Sequence, residues 1–231
     1  MTGRRVGDRE IIALFPLGSV LVPGLVMPLH IFEPRYRQLI RDQEDQPAAT
    51  RGFGIIAIRS GHEVGVDGVR ALHSIGTFAS LIEVDPYSDG RADILTNGSA
   101  RFRLLGLVDS TTPYLRAEVE WLDEPEGGPE AELLSISVGA RFDEYRAHIA
   151  GAGWIDEEDS TRLPDEPSVR SYLIAAAMIL DLTDHQRLLE APSTVDRLLA
   201  ELVLLQREIT LLRELPSLPA TELTRVPIAL N

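Results

Sequence analysis

The sequence predicts an α+β protein in which a β-rich amino-terminal half precedes a helical carboxy-terminal half. Up to residue 122, short runs of Val, Ile, Leu and Phe alternate with turns that contain Gly, Pro and Asp. A breaker-rich segment, DEPEGGP, follows, and beyond it apolar residues recur every three or four positions. We therefore predict a barrel-type β domain with one inserted helix at 1–122, a linker at 123–130, a helical bundle ending in a long helix at 131–215, and an extended proline-containing tail at 216–231.

The strands of the β-rich half are predicted from the apolar runs at 54–58, 76–84, 93–95, 101–108 and 115–121. Between them, Asp89-Gly90 and Asn97-Gly98 are predicted tight turns, because glycine supplies the positive φ that such turns need. Short strands at this spacing indicate a small, partly closed barrel rather than alternating strand–helix–strand units.

The opening segment, LFPLGSVLVPGLVMPLHIF, combines prolines and glycines with a run of Leu and Val. Pro16, Pro23 and Pro28 each remove a backbone donor, so the segment cannot lie continuously in the centre of a sheet. Gly18 and Gly24 permit bends. We predict that the segment crosses the surface of the β domain in kinked pieces and buries its Leu and Val side chains.

The inserted helix is predicted to begin at Pro34, because proline is tolerated in a first helical turn. Glu33 and Arg35 at its start are predicted to be structural, with the carboxylate near the positive helix end and the guanidinium paired to a neighbouring acid. Its apolar face comprises Tyr36, Leu39 and Ile40.

The helical half shows three further segments with helical spacing. The first two stripes are Leu134, Val138, Phe142, Tyr145 and Ile149, and then Val169, Tyr172, Leu173, Ala176 and Leu180, separated by a polar loop at 151–167. Thr183 to Gln186 has the form of a capping box and predicts a short helix through Glu190.

The last helix, predicted over 194–215, carries an apolar stripe at alternating spacings of three and four. Such a stripe is typical either of a bundle helix surrounded by its neighbours or of a seam for a weak homodimer. Additional apolar residues around the helix favour the bundle, and both a monomer and a dimer stay open. The stripe comprises Val195, Leu198, Leu202, Leu205, Ile209 and Leu212.

Composition excludes several classes of protein. All 22 basic residues are arginine, which excludes a P-loop lysine, a Ser-Lys dyad and Schiff-base chemistry. Cysteine is absent, so disulfides, thiolate metal ligands and cysteine nucleophiles are excluded as well. The net charge of −14 comes mostly from residues 120–170, with 14 acids against 4 arginines, and no basic cluster points to nucleic acid. The longest apolar run, 173–180, is too short to span a bilayer, so we expect a soluble, cytoplasmic protein.

A search for catalytic or metal chemistry finds no candidate. The histidines at 30, 62, 73, 148 and 185 do not have the spacing of metal ligands, and no nucleophile elbow or phosphate-binding glycine loop is present. The acids at 157–159 lie in a polar loop, where a solvated run is expected. We predict no enzyme activity, no cofactor and no metal.

The opening motifs identify a family. Residues 14–18, 20–24 and 28–37 closely resemble the start of the Lon protease amino-terminal domain, and the similarity continues to about residue 213. The residues that carry this motif and its later matches include Pro16, Gly18, Pro23, Gly24, Glu33, Pro34, Arg35, Tyr36, Asp89, Gly90, Arg91, Arg101 and Phe102.

The resemblance implies a PUA-like β domain followed by a helical bundle, which Lon uses to engage substrate proteins. It also implies a stand-alone domain, because the chain continues into neither an ATPase nor a Ser-Lys peptidase region, and proteolysis is not expected. The hypothesis is a non-catalytic module for unfolded or extended protein segments, an adaptor or chaperone-like factor that acts with a separate ATP-dependent protease.

The binding surface is predicted near the end of the opening segment, where an apolar groove and a free strand edge would receive a peptide. The predicted contact residues are Val26, Met27, Leu29, His30 and Phe32. The alternative is a PUA-like protein that binds a small ligand, for example at Trp121 or Trp154, or RNA, which the negative charge disfavours. A novel catalytic site at Asp89 and Arg91 is a weaker hypothesis than a plain turn. The tail is a further candidate occupant of the groove.

Overall fold

The structure is a computed structural model that describes residues 5–61, 69–151 and 163–214. Within these residues, seven strands are followed by four helices, with one more helix between the second and third strands. The strands are β1 (Arg9–Leu17), β2 (Val26–Ile31), β3 (Gly52–Gly61), β4 (Val69–Leu72), β5 (Ile75–Pro86), β6 (Ala92–Val108) and β7 (Arg116–Trp121). The helices are α1 (Pro34–Glu44), α2 (Gly128–Gly151), α3 (Pro167–Ala177), α4 (Leu182–Glu190) and α5 (Thr194–Glu214).

The strands form one sheet in the order β1-β7-β6-β5-β3-β4, with β2 added to β6. A parallel pairing between β1 and β3, from Leu14–Gly54 to Leu17–Ala57, brings the two sides of the sheet together. We describe a curled seven-stranded sheet rather than the predicted barrel, since β2 and β4 each pair with one described strand. The predicted α+β class, with strands first and helices afterwards, is confirmed.

One predicted turn is wrong. Asn97-Gly98 lies inside β6, a 17-residue strand that joins the two runs predicted at 93–95 and 101–108. Glycine is required there for a different reason, because a Cβ at Gly98 would lie 2.2 Å from the Val22 carbonyl oxygen. The Asp89-Gly90 turn is present, with Gly90 at φ +81 and the Tyr87 N–H donating to the Arg91 carbonyl.

The opening segment divides at its bends, as the prolines require. Pro16 lies near the end of β1, and Pro28 lies in β2 at the edge of the sheet. Between these strands, Pro23 and Gly24 form a turn in which Gly24 has φ +83. Gly18 lies in a bend directly after β1. The kinked course follows from the missing donors, because proline is confined to strand ends and edges.

The core of the sheet half is built around aromatic stacking against α1. The rings of Phe15 and Tyr36 stack at 4.0 Å between centroids, and Phe53 lies 5.6 Å from Phe15. Because Tyr36, Leu39 and Ile40 are buried, α1 lies with its apolar face against this core. On the other side of the sheet, Phe78, Phe102 and Trp121 form a second cluster.

The helical half has a core of its own, and the apolar stripe of α5 packs into it. Leu198, Leu205 and Ile209 are buried, and the remaining stripe residues pack against the same cluster. Within this chain the stripe is therefore a packing face rather than a free seam. Two helix boundaries differ from the prediction: α2 begins at Gly128, inside the expected linker, and α4 is capped by Asp181, which accepts from the Asp184 N–H, instead of Thr183.

A buried arginine of the sheet contacts the helical half. Arg101 is 4 % exposed, and its guanidinium donates to the carbonyl oxygens of Leu189 (2.8 Å), Ala191 (2.6 Å) and Asp123 (2.9 Å). Its Nε lies 2.9 Å from a carboxylate oxygen of Glu124. The predicted linker thus supplies Glu124, whose side chain is 30 % exposed, as the ion-pair partner of a buried arginine.

A second buried arginine reaches the same carboxylate from α5. Arg197 Nη2 donates to Glu124 Oε1 at 2.8 Å, and its Nε donates to Ser171 Oγ at 2.5 Å. The guanidinium lies 3.5 Å from the ring centroid of Tyr172, whose hydroxyl donates to Glu124 Oε2. Burial raises the pKa of Tyr172. Glu124 therefore joins a strand and two helices through charge-assisted hydrogen bonds, which are the stronger class.

A buried acid lies one turn further along α5. Glu201 has no exposed surface, and neither of its carboxyl oxygens has a hydrogen-bond partner among the described residues. Burial raises the pKa of Glu201 well above its ordinary value, and the charge of Arg197 opposes this only in part. Burial therefore favours the protonated form of Glu201 in the folded protein.

Replacing the sheet arginine tests the contact between the halves. We expect Arg101→Met to lower the free energy of unfolding by about 3–5 kcal/mol, because it leaves three carbonyl groups without their buried donor and removes one of the two guanidinium partners of Glu124. Arg103→Met is the matched control: Arg103 lies two residues along β6, its side chain is 51 % exposed, and its ion pair with Glu120 is worth less than about 1 kcal/mol. Urea unfolding measures both, and equal losses would contradict the assignment.

The raised pKa of Glu201 predicts that the free energy of unfolding depends on pH. The pKa of Glu201 is higher in the folded than in the unfolded chain, so the unfolded chain loses its proton first and stability falls as pH rises above the ordinary value of 4.5. Glu201→Gln lacks this dependence, and we expect it to be more stable than the parent protein by about 1–3 kcal/mol at about pH 8 and by less near pH 5. Thermal unfolding at both pH values checks this. Glu214→Gln, at the end of the same helix, is the control and leaves the pH profile unchanged.

Candidate functional site

The predicted contact residues lie on β2, and the strand separates them onto two faces. Val26, His30 and Phe32 are exposed, with Val26 and Phe32 each at 50 %. Met27 and Leu29 alternate with them, are partly buried and pack against the core of the sheet half. The strand thus presents three of the five predicted residues on its outer face and uses the other two to hold itself on the sheet.

One edge of β2 has no strand partner among the described residues. The Leu25 carbonyl accepts from the Gly98 N–H of β6, and the Met27 carbonyl accepts from Thr96 Oγ1. Because main-chain groups alternate in direction along an antiparallel pair, Met27 and Leu29 face β6. The main-chain groups of Val26 and His30, and the carbonyl of Pro28, therefore face the open edge.

A hydrogen-bonded trio lies on the exposed face over β2 and β6, with Asp93 on the strand that pairs with the other edge of β2. His30 Nδ1 is 2.5 Å from Asp93 Oδ1, and the Tyr87 hydroxyl donates to Asp93 Oδ2 at 2.6 Å. The hydrogen bond to the carboxylate raises the pKa of Tyr87, while the hydrogen bonds from Tyr87 and His30 lower the pKa of Asp93. The trio fixes an ionised carboxylate on the outer face of the sheet.

The rings of this trio continue into an aromatic row. The centroids of His30 and Phe32 are 6.2 Å apart with an interplanar angle of 21°, and those of His30 and Tyr87 are 6.0 Å apart at 67°. Tyr87 is 46 % exposed. We name His30, Phe32, Tyr87 and Asp93 the β2 cluster.

The Asp89-Gly90-Arg91 turn closes one end of the cluster. The Asp89 carboxylate accepts from the Arg91 N–H and from Arg91 Nε, and both hydrogen bonds lower the pKa of Asp89. Arg37 of α1 donates to the Asp89 carbonyl at 3.1 Å. Asp89 and Arg91 hold the turn through each other, which agrees with a structural role.

The remaining motif residues lie at the start of α1 and in the sheet. Glu33 is the N-cap residue of α1, but its side chain makes no capping hydrogen bond and lies 3.1 Å from Arg35. The Arg35 guanidinium also lies 4.4 Å from the ring centroid of Tyr36. Phe102 is fully buried in the sheet.

Two adjoining cavities lie elsewhere on the sheet half and share Tyr114 and Arg116. One, of about 350 Å³, lies between α1 and β1, and the other, of about 510 Å³, lies beside the β6–β7 connection. The Tyr114 hydroxyl donates to Asp42 Oδ2 at 2.7 Å. Burial and this hydrogen bond raise the pKa of Tyr114 to about 12.

Several sequence candidates have no place in the β2 cluster. Trp121 is buried, and its Nε1 donates to Glu10 at 3.1 Å. His62, Trp154, the acids at 157–159 and the tail at 216–231 lie outside the described residues. Conversely, Tyr87 and Asp93 were not predicted as site residues, although the period-two pattern of β6, which begins at Ala92, carried a signal for an outward carboxylate at Asp93.

No group of three or more His, Asp or Glu side chains in the described ranges has an arrangement able to hold a metal ion. None of the described helices combines the length and the apolar character needed to cross a membrane.

The protein is of the α+β class, with a curled sheet joined to a helical half through the ion pairs of Arg101 and Arg197 with Glu124. The family model for the "ATP-dependent protease La (LON) substrate-binding domain" matches residues 11–207, so the chain belongs to this family. The family resemblance of the opening motif is thereby confirmed.

Curated relatives match over most of this chain. Lon protease 2 of Syntrophobacter fumaroxidans is 26 % identical over 193 residues, covering 83 % of this chain and 24 % of the relative. Lon protease of Escherichia coli (strain K12) is 29 % identical over 212 residues, covering 89 % of this chain and 26 % of the relative. The chain thus spans about a quarter of the length of the curated relatives it matches.

Solved structures agree with the fold. A Lon N-terminal domain protein from Xanthomonas campestris superposes with a TM-score of 0.58 at 25 % identity, covering 84 % of this chain and 98 % of the other. The N-terminal domain of Mycobacterium avium complex Lon protease gives a TM-score of 0.60 at 16 % identity, covering 87 % and 98 %, and supports the fold alone.

The hydrogen bond inside the cluster predicts a measurable titration. We expect Asp93→Asn to lower the pKa of Tyr87 towards 10.0, because the largest cause of its elevation is the hydrogen bond to the carboxylate. An NMR titration of the tyrosine ring carbons measures this, with Tyr87→Phe used to assign the signal. Glu83→Gln, a nearby exposed acid that makes no contact with the hydroxyl, is the control and leaves the titration in place. An unchanged pKa in Asp93→Asn would contradict the arrangement.

Proposed function

We propose that this chain is a non-catalytic module that binds extended or unfolded segments of other proteins at the edge of β2. The observation that carries the proposal is a strand edge that has no strand partner in the described ranges and runs beside exposed apolar side chains at Val26 and Phe32. Membership of a substrate-binding domain family supports the same class of ligand. The absence of lysine agrees, because no Ser-Lys dyad can be formed from these residues.

The proposed mode of binding is strand addition. An extended segment pairs its main chain with the outward N–H and carbonyl groups of Val26 and His30, and its alternate side chains contact Val26 and Phe32. Main-chain pairing gives affinity with little sequence preference, which suits a module that meets many unfolded chains. Met27 and Leu29 contribute by anchoring the strand to the core rather than by touching the ligand.

The wider role proposed is that of an adaptor or chaperone-like factor in protein quality control, working with a separate ATP-dependent protease. The support is that the curated relatives are Lon proteases. We further propose a PUA-like arrangement of the sheet, a helical bundle as its partner unit and a cytoplasmic location. Because the apolar stripe of α5 packs within the chain, we propose a monomer rather than a weak homodimer through α5.

An unfolded protein of known composition tests this function. We expect fluorescently labelled lysozyme that has been reduced and alkylated to bind the chain, whereas native lysozyme does not. The double variant Val26→Thr/Phe32→Ala is expected to weaken binding about tenfold, because truncating the central anchor residues of an interface costs more than about 1 kcal/mol. Fluorescence anisotropy measures the dissociation constants.

The control changes apolar residues on the helices that are more exposed than Val26 and Phe32. Leu133 is 69 % and Val203 is 70 % exposed, so Leu133→Ala/Val203→Thr removes similar apolar surface away from β2. We expect this variant to bind as the parent protein does. An equal loss of affinity in both variants would overturn the proposed site. If the parent protein does not bind unfolded lysozyme at all, the proposed function is overturned.

A second candidate function is the binding of a small ligand in the cavity of about 510 Å³. Its volume falls within the range of small-molecule sites, and Leu104, Leu107 and Leu115 line it together with Arg35 and Arg116. RNA is disfavoured as an alternative ligand of β2, because the exposed acids Asp85 and Asp93 lie on that face.

A further inference from the structure

We propose that the β2 cluster selects segments in which an arginine or lysine is flanked by apolar residues, with the cation received at the Asp93 carboxylate. This inference rests on the proposed function and assigns a class of ligand to the same edge. It is carried by the aromatic row, by the geometry of the carboxylate and by the charge of the surrounding face.

The Asp93 carboxylate is held in place but can still accept further hydrogen bonds. The Asp93 side chain is 51 % exposed, and each of its oxygens takes one hydrogen bond within the cluster, from His30 and Tyr87. An ionised carboxylate has about four lone-pair positions, so each oxygen retains one for an incoming donor. The two existing hydrogen bonds orient the group, and a guanidinium or ammonium ion meets a fixed partner.

The rings beside the carboxylate suit the stem of such a side chain. The His30 ring lies near both the Phe32 ring and the Tyr87 ring, and Phe32 and Tyr87 are 50 % and 46 % exposed. His30 and Tyr87 also hydrogen-bond to the carboxylate. The aliphatic stem of arginine or lysine packs on apolar surface while its charged end remains solvated, and aromatic faces attract cations. Tyr87 already has a cation near it, since the Arg91 guanidinium lies 5.7 Å from its ring centroid.

The charges of the neighbouring strand favour a cation over an anion. Asp85 of β5 lies directly opposite Asp93 in the register, and Glu83 lies opposite Leu95. Both acids are exposed. The nearest basic residue, Arg91, is engaged by Asp89 at 2.8 Å. An acidic segment therefore meets like charges on two strands, while a basic segment meets complementary ones.

The strand edge and the cluster act on one ligand. His30 contributes its ring to the cluster and its main-chain groups to the open edge, while Asp93 lies on β6, on the other side of β2. A segment paired with β2 therefore places a side chain beside His30, and a long side chain such as arginine or lysine extends over the imidazole ring to the carboxylate one strand away. Main-chain pairing is indifferent to sequence, and the carboxylate adds a preference for one position of the ligand. The cluster thus supplies selectivity where the edge supplies affinity.

The test uses short labelled peptides in which valine and threonine alternate around one central residue, which is arginine, glutamine or glutamate. By fluorescence anisotropy at about 0.15 M salt, we expect the arginine peptide to bind the parent protein about tenfold more tightly than the glutamate peptide. In Asp93→Asn this preference falls to about twofold or less, while the affinity of the glutamine peptide is unchanged. Asp143→Asn, an exposed acid on α2, is the matched control and keeps the full preference.

The possible outcomes separate the two proposals. Equal binding of all three peptides to the parent protein overturns the selectivity and leaves the binding function standing. An arginine preference that persists in Asp93→Asn places the cation elsewhere and overturns the assignment. No binding of any peptide overturns both. A lost preference in Phe32→Ala as well as in Asp93→Asn, with thermal unfolding unchanged, supports the cluster as the site.

Discussion

The ion-pair contact of Glu124 with Arg101 and Arg197 is the interaction on which the arrangement of the whole molecule depends. Two guanidinium groups, one from the sheet and one from α5, approach a single carboxylate in a largely buried place. Buried charges are tolerated only when each finds its partner, so sheet and helices are compatible with few relative positions. Apolar packing around Val22, Ile75, Tyr172 and Leu189 fills the space beside this contact but does not set its direction.

β6 carries this constraint to the proposed binding edge. The strand contains Arg101 and pairs with β7 over 102–108, while its other end pairs with β2 over 92–97. The same continuous backbone therefore holds the buried network and Asp93. A strand fixed at the interface positions the cluster at its far end, and rigid positioning lowers the ordering cost of binding an extended ligand.

Local sequence signals predicted those parts of the fold that depend on neighbouring residues. The prolines predicted that the opening segment is kinked and does not run through a sheet centre, and the Asp89-Gly90 turn followed from the conformation of glycine. The predicted Asn97-Gly98 turn was wrong because a distant contact, the approach of Val22 to Gly98, requires the glycine. Glu124 was assigned to the linker, since its side-chain partners Tyr172 and Arg197 lie 48 and 73 residues away. In the β2 cluster, contact residues were predicted in the opening segment but β2 was not among the predicted strands, and Tyr87 and Asp93 come together with His30 only through sheet register.

Pro28 at the centre of the open edge has a consequence for how copies of this chain meet one another. Exposed strand edges are templates on which identical molecules zip together and aggregate. A proline there removes one main-chain donor, so the continuous hydrogen-bond ladder that two copies of the chain would need is interrupted midway. A short extended ligand can still pair with the main-chain groups on either side of Pro28. The edge can therefore bind segments of other proteins without promoting fibrillar aggregation of this chain.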